Sequence, residues 1–259
     1  MKRWTRILIV LLVVAVAAAV TVLVVGSAAL VRHELTCVDL DIRVQKDLSF
    51  VSEQDVKDYL RNYYGPCKGV RIDSLDLDRM EKVLDRRSAI RKSQAWITPD
   101  GILHISISQR EPAVRFQTPY FGYYADDRGY IFPLQKGWTP LVPVVDGNLP
   151  LCVSEGYKGE LASDVEKEWM NGILDLLAYM SRSRIWAENI SQISVRENGD
   201  LVLCPREGQE RFIFGDSSRA KEKFALIEDY YKYIKPSNEP GWYHSVNVKY
   251  PGQIICRKK

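Results

Sequence analysis

The segment Ile7–Val31 reads ILIVLLVVAVAAAVTVLVVGSAALV and contains no charged residue. As an α-helix it would span about 37 Å, more than the ~30 Å thickness of a bilayer hydrocarbon core. Three basic residues lie within residues 1–6, whereas Arg32 and Glu34 nearly cancel after the segment. Because positive charge is retained on the cytoplasmic side, we predict a single transmembrane helix with a cytoplasmic tail, 1–6, and an exported remainder.

A cleaved signal peptide is one alternative interpretation of the same segment, and a buried core helix, which seldom has basic residues on only one flank, is a less favoured one. A signal peptide has an apolar core of about 7–15 residues and a small-residue cleavage site. Ser27-Ala28-Ala29 could loosely supply that site, but the apolar run before it is longer than such a core. A permanent anchor is therefore favoured.

The exported part of the chain is electrically balanced. Setting aside the charged residues that flank Ile7–Val31, the totals of 36 basic and 33 acidic residues fall to 32 of each. A neutral domain lacks the basic surface that nucleic acid requires, so no nucleic-acid partner is expected. The length of this part allows one large or two modest domains.

The cysteines of the sequence indicate neither a disulfide framework nor a zinc site. An exported compartment permits disulfides, but the count is odd and no C-x-x-C pair indicates a zinc site. Cys37 with Cys67 is the one pair considered, because both fall in one small predicted domain, and free buried cysteines are favoured over it. The five cysteines are Cys37, Cys67, Cys152, Cys204 and Cys256.

The first exported domain is predicted to have the order β-α-α-β-β. Its first strand alternates apolar and charged residues, with Val38, Leu40, Ile42 and Val44 facing inward. The sequence Ser52-Glu53-Gln54-Asp55 is close to a capping box and opens a helix. The predicted elements are strand 38–44, a helix between Ser52 and Gly65-Pro66, helix 74–86, and strands 90–97 and 102–110 joined by the turn Pro99-Asp100-Gly101.

Beyond Arg110-Glu111-Pro112, short strands alternate with turns and helices. The proline cannot donate to a central ladder, which indicates a domain junction or an edge. Ser163–Glu166 is a second predicted capping box, and Asn198-Gly199 is a strong hairpin signal. The predicted strands are 114–116, 123–125, 130–133, 190–195, 201–204, 211–214, 243–250 and 253–257, with helices at 163–180 and 218–234.

No catalytic constellation is present in the sequence. His104 shares a predicted strand face with Ser106 and Ser108, but a solvated face explains them better than a nucleophile and base. Turn chemistry accounts for both acids of Asp126–Gly129. No nucleophile elbow, P-loop or dinucleotide motif occurs. We expect no enzyme activity, no catalytic, cofactor-binding or metal-binding residues, and no small-molecule substrate.

Several segments occur in order after the apolar segment: Phe50–Val56, Gln109–Arg115, Tyr124–Pro133, Val246–Tyr250 and Gln253–Arg257. In this order and spacing they resemble the bacterial cell-division family FtsQ/DivIB. The resemblance implies an α+β fold with a transmembrane helix at 7–31, a POTRA domain at 35–110 and a mixed, mainly antiparallel β domain with helices at 111–259. The stretch 138–162 matches no motif of that family.

The resemblance also implies a role as a non-catalytic divisome scaffold in the cytoplasmic (inner) membrane at the division septum. Proteins of this family bind FtsB and FtsL, and help to control the septal peptidoglycan synthase FtsW–FtsI. In the family, FtsB adds a strand to an exposed edge of the β domain. The matching residues are Lys249, Tyr250, Gln253, Ile254, Ile255, Cys256 and Arg257, supported by the helix that carries Phe224 and Tyr231. The plainer interpretation is that this strand merely completes a sheet.

Two other functions compete with the scaffold. A transport-type POTRA protein usually carries several POTRA units, whereas one is predicted here. A membrane-anchored peptidoglycan-binding or hydrolytic cell-wall protein could use Trp138, Trp169 or Trp242 to stack on sugars. Isolated tryptophans more often pack in cores, so the scaffold is favoured.

Overall fold

A computed structural model of the protein describes residues 12–23, 35–45, 47–135, 137–239 and 241–258. Residues 12–23 form helix α1. The tail 1–6 and both ends of the predicted transmembrane segment lie outside the described residues. Among the described helices, none combines the length and apolar character needed to cross a bilayer. The chain divides into two compact units, Met1–Gln109 and Arg110–Lys259.

The first unit has the predicted order β-α-α-β-β. Its described strands form a sheet in the order β1-β3-β2, with β1 parallel and β2 antiparallel to β3. The elements are strand β1 (Asp39–Val44), helix α2 (Glu53–Tyr63), a 3₁₀ turn (Ile72–Ser74), helix α3 (Leu77–Asp85), strand β2 (Ile90–Ile97) and strand β3 (Ile102–Gln109).

Helix α2 begins with the predicted capping box. The Ser52 hydroxyl accepts from the Asp55 N–H at 3.1 Å, and the Asp55 carboxylate accepts from the Ser52 N–H at 2.9 Å. Donation from the Ser52 hydroxyl and backbone holds the pKa of Asp55 below its usual value. Val56 and Leu60 of the predicted apolar face are buried, whereas Tyr63 is exposed at the end of the helix.

The predicted inward set of the first strand is wrong at its first member. Val38 precedes β1 and is 57% exposed, whereas Cys37 is 1% exposed. The reason is local pairing, because Cys37 bonds through its backbone to Val70 and Gly69 before the alternation of β1 begins. Ile42 is buried as predicted.

The second unit contains a longer series of elements. They are strands β4 (Pro112–Gln117), β5 (Gly122–Asp126), β6 (Ile131–Pro133) and β7 (Val144–Gly147), helices α4 (Asp164–Ser181) and α5 (Arg184–Asn189), strands β8 (Ile190–Val195), β9 (Leu201–Pro205) and β10 (Arg211–Gly215), helix α6 (Ala220–Asp229), and strands β11 (Tyr243–Asn247) and β12 (Ile255–Lys258). A π-helical turn (Tyr230–Ile234) and a 3₁₀ turn (Lys235–Ser237) follow α6.

The described strands of this unit form one sheet in the order β12-β11-β10-β9-β8-β7-β4-β5-β6. Its pairs are parallel at β4–β7, β7–β8 and β10–β11 and antiparallel elsewhere, so the sheet is mixed and mainly antiparallel. Buried side chains of α4, α5 and α6 pack against it in one apolar core.

One row of apolar side chains crosses the sheet from β5 to β12. Each member is the register partner of the next, and all but the last are buried. Because side chains alternate between faces along a strand, this row defines the face that meets the helices. Its members, called the apolar row below, are Tyr123, Phe116, Val145, Ile193, Leu203, Phe212, Val246 and Cys256.

Four features of this unit differ from the prediction. Ser163 precedes α4 but its side chain makes no capping bond, and the Glu166 carboxylate accepts from the Cys152 N–H at 2.6 Å. Strand β7 lies in a stretch predicted to be loose, and the short helix α5 was not predicted. The predicted helix 218–234 changes to a π-helical turn at Tyr230.

An ion pair holds the start of this unit. Arg110 Nη1 lies 2.9 Å from Asp126 Oδ2, and the Arg110 guanidinium lies 3.4 Å from the Tyr130 ring centroid. The other oxygen of Asp126 accepts from the N–H groups of Arg128 and Tyr130 at 3.0 Å each. Asp126 therefore organises the turn, as the sequence predicted.

We predict that Asp126→Ala lowers the free energy of unfolding by about 3–5 kcal/mol, the usual loss when one partner of a buried ion pair is removed. The substitution leaves the mostly buried Arg110 without its anion and two turn N–H groups without their acceptor. Asp127→Ala, at the exposed neighbouring position, is the matched control and should change stability by less than about 0.5 kcal/mol. Urea denaturation measures both, and equal losses would contradict the assignment.

Candidate protein-interaction site

The two edge strands of the nine-stranded sheet in the second unit differ in their backbone hydrogen bonding. At the β6 edge, Ile131 and Gly159 exchange two backbone hydrogen bonds at 2.8 and 3.0 Å, and Pro133 has no N–H to offer. At the other edge, no described strand pairs with the outer side of β12. An unpaired strand edge presents N–H and C=O groups that template a further strand.

The faces of β12 follow from the apolar row. Cys256 is the partner of buried Val246 and packs partly against the core. Ile255 and Arg257 therefore point to the opposite face, where Ile255 is 43% exposed. The strand thus offers an open edge with an exposed apolar side chain and an exposed cation.

The sequence-predicted site residues are only partly on this strand. Ile255, Cys256 and Arg257 lie in β12, whereas Gln253 and Ile254 precede it. The Gln253 N–H donates to the Tyr250 carbonyl at 3.3 Å, which closes the turn predicted at Pro251-Gly252. Because that turn extends to Gln253, the strand begins two residues later than predicted.

Lys249 fixes the loop before β12 through bonds within this unit, and its side chain does not project towards a partner. Its Nζ lies 2.7 Å from Asp200 Oδ1, and its carbonyl accepts from Arg219 at 3.1 Å. The hydrogen bond to Asp200 raises the pKa of Lys249. Its stem also covers Gly215, where a Cβ would lie 2.7 Å from the lysine side chain. Tyr250, the next residue, is exposed.

Phe224 cannot touch a partner in this fold. It is 1% exposed and its ring centroid lies 4.7 Å from that of Trp186 and 5.2 Å from that of Phe214. Its contribution to the predicted site is to hold α6 in the core. Tyr231 is half-buried, and its ring packs against Phe212.

A cluster near β12 was not anticipated from the sequence. Glu210, which is buried, accepts from Lys235 Nζ at 2.6 Å, and the same ammonium lies 4.7 Å from the Tyr231 ring centroid. Tyr230 contacts the rings of Phe212 and Tyr243 edge-on. Burial, followed by the charge of Glu210, raises the pKa of Tyr230 to about 12.

This cluster coincides with the π-helical turn Tyr230–Ile234. Such turns are rare and often occur at functional sites. The run Tyr230-Tyr231-Lys232-Tyr233 was the signal in the sequence, but periodicity alone assigned it to a regular helix. The turn places Tyr230 and Tyr231 against side chains of β10 and β11, the two strands that precede β12 in the sheet.

Exposed aromatic side chains flank the open edge. Trp242 and Tyr250 lie just before and just after β11 and are both exposed, and Lys258 Nζ lies 4.4 Å from the Trp242 ring centroid. Single exposed apolar residues are common, but here they accompany the exposed Ile255 at an unpaired edge. These exposed side chains are the candidates for contact with a partner at that edge.

Helix α6 is held at its start by a buried cation. Lys223 is 1% exposed, with its Nζ 2.7 Å from Asp216 Oδ1 and 4.8 Å from the Phe214 ring centroid. Hydrogen bonds from Lys223 and then Ser218 lower the pKa of Asp216 to about 2. The ionised carboxylate therefore stabilises the fold.

We predict that Asp216→Asn is less stable than the native protein at pH 7 and that this difference disappears in acid. The native advantage is complete above the ordinary aspartate pKa of 3.8 and is lost as the pH falls through about 2, because the folded state then binds the proton. Urea midpoints at pH 7, 4 and 2 measure the difference. A difference independent of pH would contradict an electrostatic origin.

The other residues considered for catalysis or metal binding do not form such a site among the described residues. His104 Nδ1 lies 2.8 Å from Asp41 Oδ2 and its Nε2 lies 3.1 Å from the Thr98 hydroxyl, so its partners are not Ser106 and Ser108. Within the part of the chain that the structure describes, no three His, Cys, Asp or Glu side chains are grouped to hold a metal ion.

The described residues form a β-α-α-β-β domain followed by a sheet domain in which no described strand pairs with the outer side of β12, so the protein is of the α+β class with an open sheet edge. A family model described as FtsQ/DivIB, C-terminal related, matches residues 111–257, and a POTRA-like domain model matches residues 35–108. No curated protein matches the chain. Because the first match covers more than half of the sequence, the chain belongs to the FtsQ/DivIB family of bacterial cell-division proteins.

Proposed function

We propose that the protein is a non-catalytic divisome scaffold that binds partner proteins by strand addition to β12. The observation that carries the proposal is the contrast between the two sheet edges. The β6 edge is bonded to Gly159 of the same chain, whereas β12 has no described neighbour on its outer side.

Strand addition supplies both affinity and specificity. In an antiparallel arrangement, alternate residues of an edge strand direct N–H and C=O groups outward, where an extended partner segment can bond to them. Ile255 and Arg257 then sit on the open face beside the partner's side chains, and Lys258 lies near Trp242. These contacts favour a partner of matching side-chain pattern.

The partners proposed for this edge follow from membership of the family. They are the single-span division proteins FtsB and FtsL, with control of the FtsW–FtsI peptidoglycan synthase as the consequence. The apolar segment Ile7–Val31 would anchor the chain in the cytoplasmic membrane at the septum, with residues after His33 in the extracytoplasmic space.

We predict that Ile255→Pro abolishes partner binding while the monomer stays folded. The register makes Asn247 and Ile255 a hydrogen-bonded pair, because Val248 donates towards β10. Proline at 255 therefore removes a bond to β11 and loosens the edge strand that a partner would pair with, whereas the exposed Ile255 side chain contributes little to the core. The measurement is co-purification of the detergent-solubilised full-length protein from its native host, with partners identified by mass spectrometry. Circular dichroism reports whether the variant remains folded.

Two further variants complete this test. Ile255→Thr keeps the N–H and a strand-forming side chain, so it should retain the partners. Truncation after Pro251 removes β12 and should lose them. Recovery of small single-span proteins by folded Ile255→Pro and by the truncated chain would show that the edge is not the binding site. Recovery of wall fragments instead of proteins would favour a sugar-binding or hydrolytic function.

For the first unit we predict a separate role in recruitment to the septum. The unit has its own sheet and helices, so deleting residues 37–109 should leave the apolar segment and the second unit in place. The expected result is loss of septal localisation of a fluorescent fusion, with retained co-purification of the proteins bound at β12. Unchanged localisation would count against the role.

A further inference from the structure

We infer that Cys37 and Cys67 are a disulfide-forming pair that ties the start of β1 to the loop after α2. The sequence favoured free thiols, and both thiols are free in the structure. The local geometry nevertheless points to this pair.

Backbone pairing brings the two cysteines onto facing segments. Cys37 donates its N–H to Val70 at 2.8 Å and accepts from Gly69 at 2.7 Å. The Val70 N–H donates to the Cys67 carbonyl at 3.2 Å, which closes a tight turn over Cys67–Val70. Facing residues of paired strands have Cα atoms about 5 Å apart, and the ends of such a turn lie within about 7 Å. Cys37 and Cys67 therefore lie on adjoining backbone segments, and a disulfide between them requires their Cα atoms to approach within about 7 Å.

Both side chains occupy the same buried region. Cys37 is 1% and Cys67 is 6% exposed. Each sulfur lies near a backbone carbonyl, that of Asp39 at 3.5 Å and that of Gly65 at 3.7 Å. A thiol is a weak donor, so these contacts are readily replaced by an S–S bond. Burial, with the nearby Cys37 as the next cause, raises the pKa of Cys67 to about 11.

The same burial decides when the bond forms. The thiolate is the reacting species, and burial disfavours it at both positions. Pairing therefore belongs to folding, before the thiols are enclosed.

The reaction is thiol–disulfide exchange with a small-molecule or protein disulfide as oxidant. One cysteine thiolate attacks the oxidant and releases one of its two thiols, which forms a mixed disulfide. The other cysteine then displaces the second thiol. The two cysteines lose two electrons to the oxidant, and their two protons end on its two thiols.

The consequence is a covalent clamp at the entry to the first unit. The bond closes a loop that contains β1 and α2, which reduces the freedom of the unfolded chain. It also fixes Cys37, close to where the chain leaves the apolar segment. This inference goes beyond partner binding at β12, and the pairing is tested without any partner.

The test refolds full-length, detergent-solubilised protein from the reduced, denatured state in a mixture of reduced and oxidised glutathione. Free thiols are then alkylated and the peptides are mapped by mass spectrometry. The expected result is one bond joining Cys37 to Cys67, three alkylated cysteines, and a thermal transition that shifts downward when reductant is added.

Two serine variants serve as controls. Cys152→Ser removes an exposed thiol and should leave the bond and the reductant-dependent shift unchanged. Cys37→Ser should abolish both. Alkylation of all five cysteines, or a bond to any cysteine of the second unit, would overturn the inference. Such a failure would leave the Ile255→Pro result unaffected, so the two proposals fail separately.

Discussion

The architecture of the second unit depends on the apolar row that crosses its sheet from Tyr123 to Cys256. Each step joins register partners on adjacent strands, so the row is continuous only in one alignment. A slip of one residue in any strand would turn its members to the opposite face and expose them. The row therefore fixes the register of β12, the last strand, which adds one half-buried member to it.

The loop and the strands next to the open edge are fixed by contacts between residues that are distant in sequence. Lys249 is fixed by Asp200 and by Arg219, and Tyr230 packs beneath β10 and β11. Arg219 is the one described residue other than glycine with a positive φ, 53°, a conformation that costs about 1–3 kcal/mol. Strain at the start of α6 is tolerated where it positions the loop before the edge strand.

Strong local patterns were sufficient for much of the fold. The alternation of apolar and polar residues predicted most strands, and the Ser52–Asp55 capping box predicted the start of α2. The order of the sequence motifs indicated the family. Predictions failed where a distant group decided the outcome. The Glu166 carboxylate accepts from the Cys152 N–H and does not complete the predicted second capping box. The Lys249 ammonium donates to Asp200, which lies 49 residues earlier in the sequence. Strand β7, with four residues, is too short to show a period, and helical periodicity could not reveal that Phe224 is enclosed on all sides.

The difference in burial between the core and β12 bears on how a partner would bind. The side chains of β12 are largely exposed, and only Cys256 joins the apolar row. The core is therefore nearly complete without this strand, whereas the strand itself has few buried contacts to stabilise it. Elements of this kind open at low free energy, and a second strand on the outer side would reduce that opening. Partner addition would then order the edge of an already folded sheet, which suits reversible assembly better than completion of a core would.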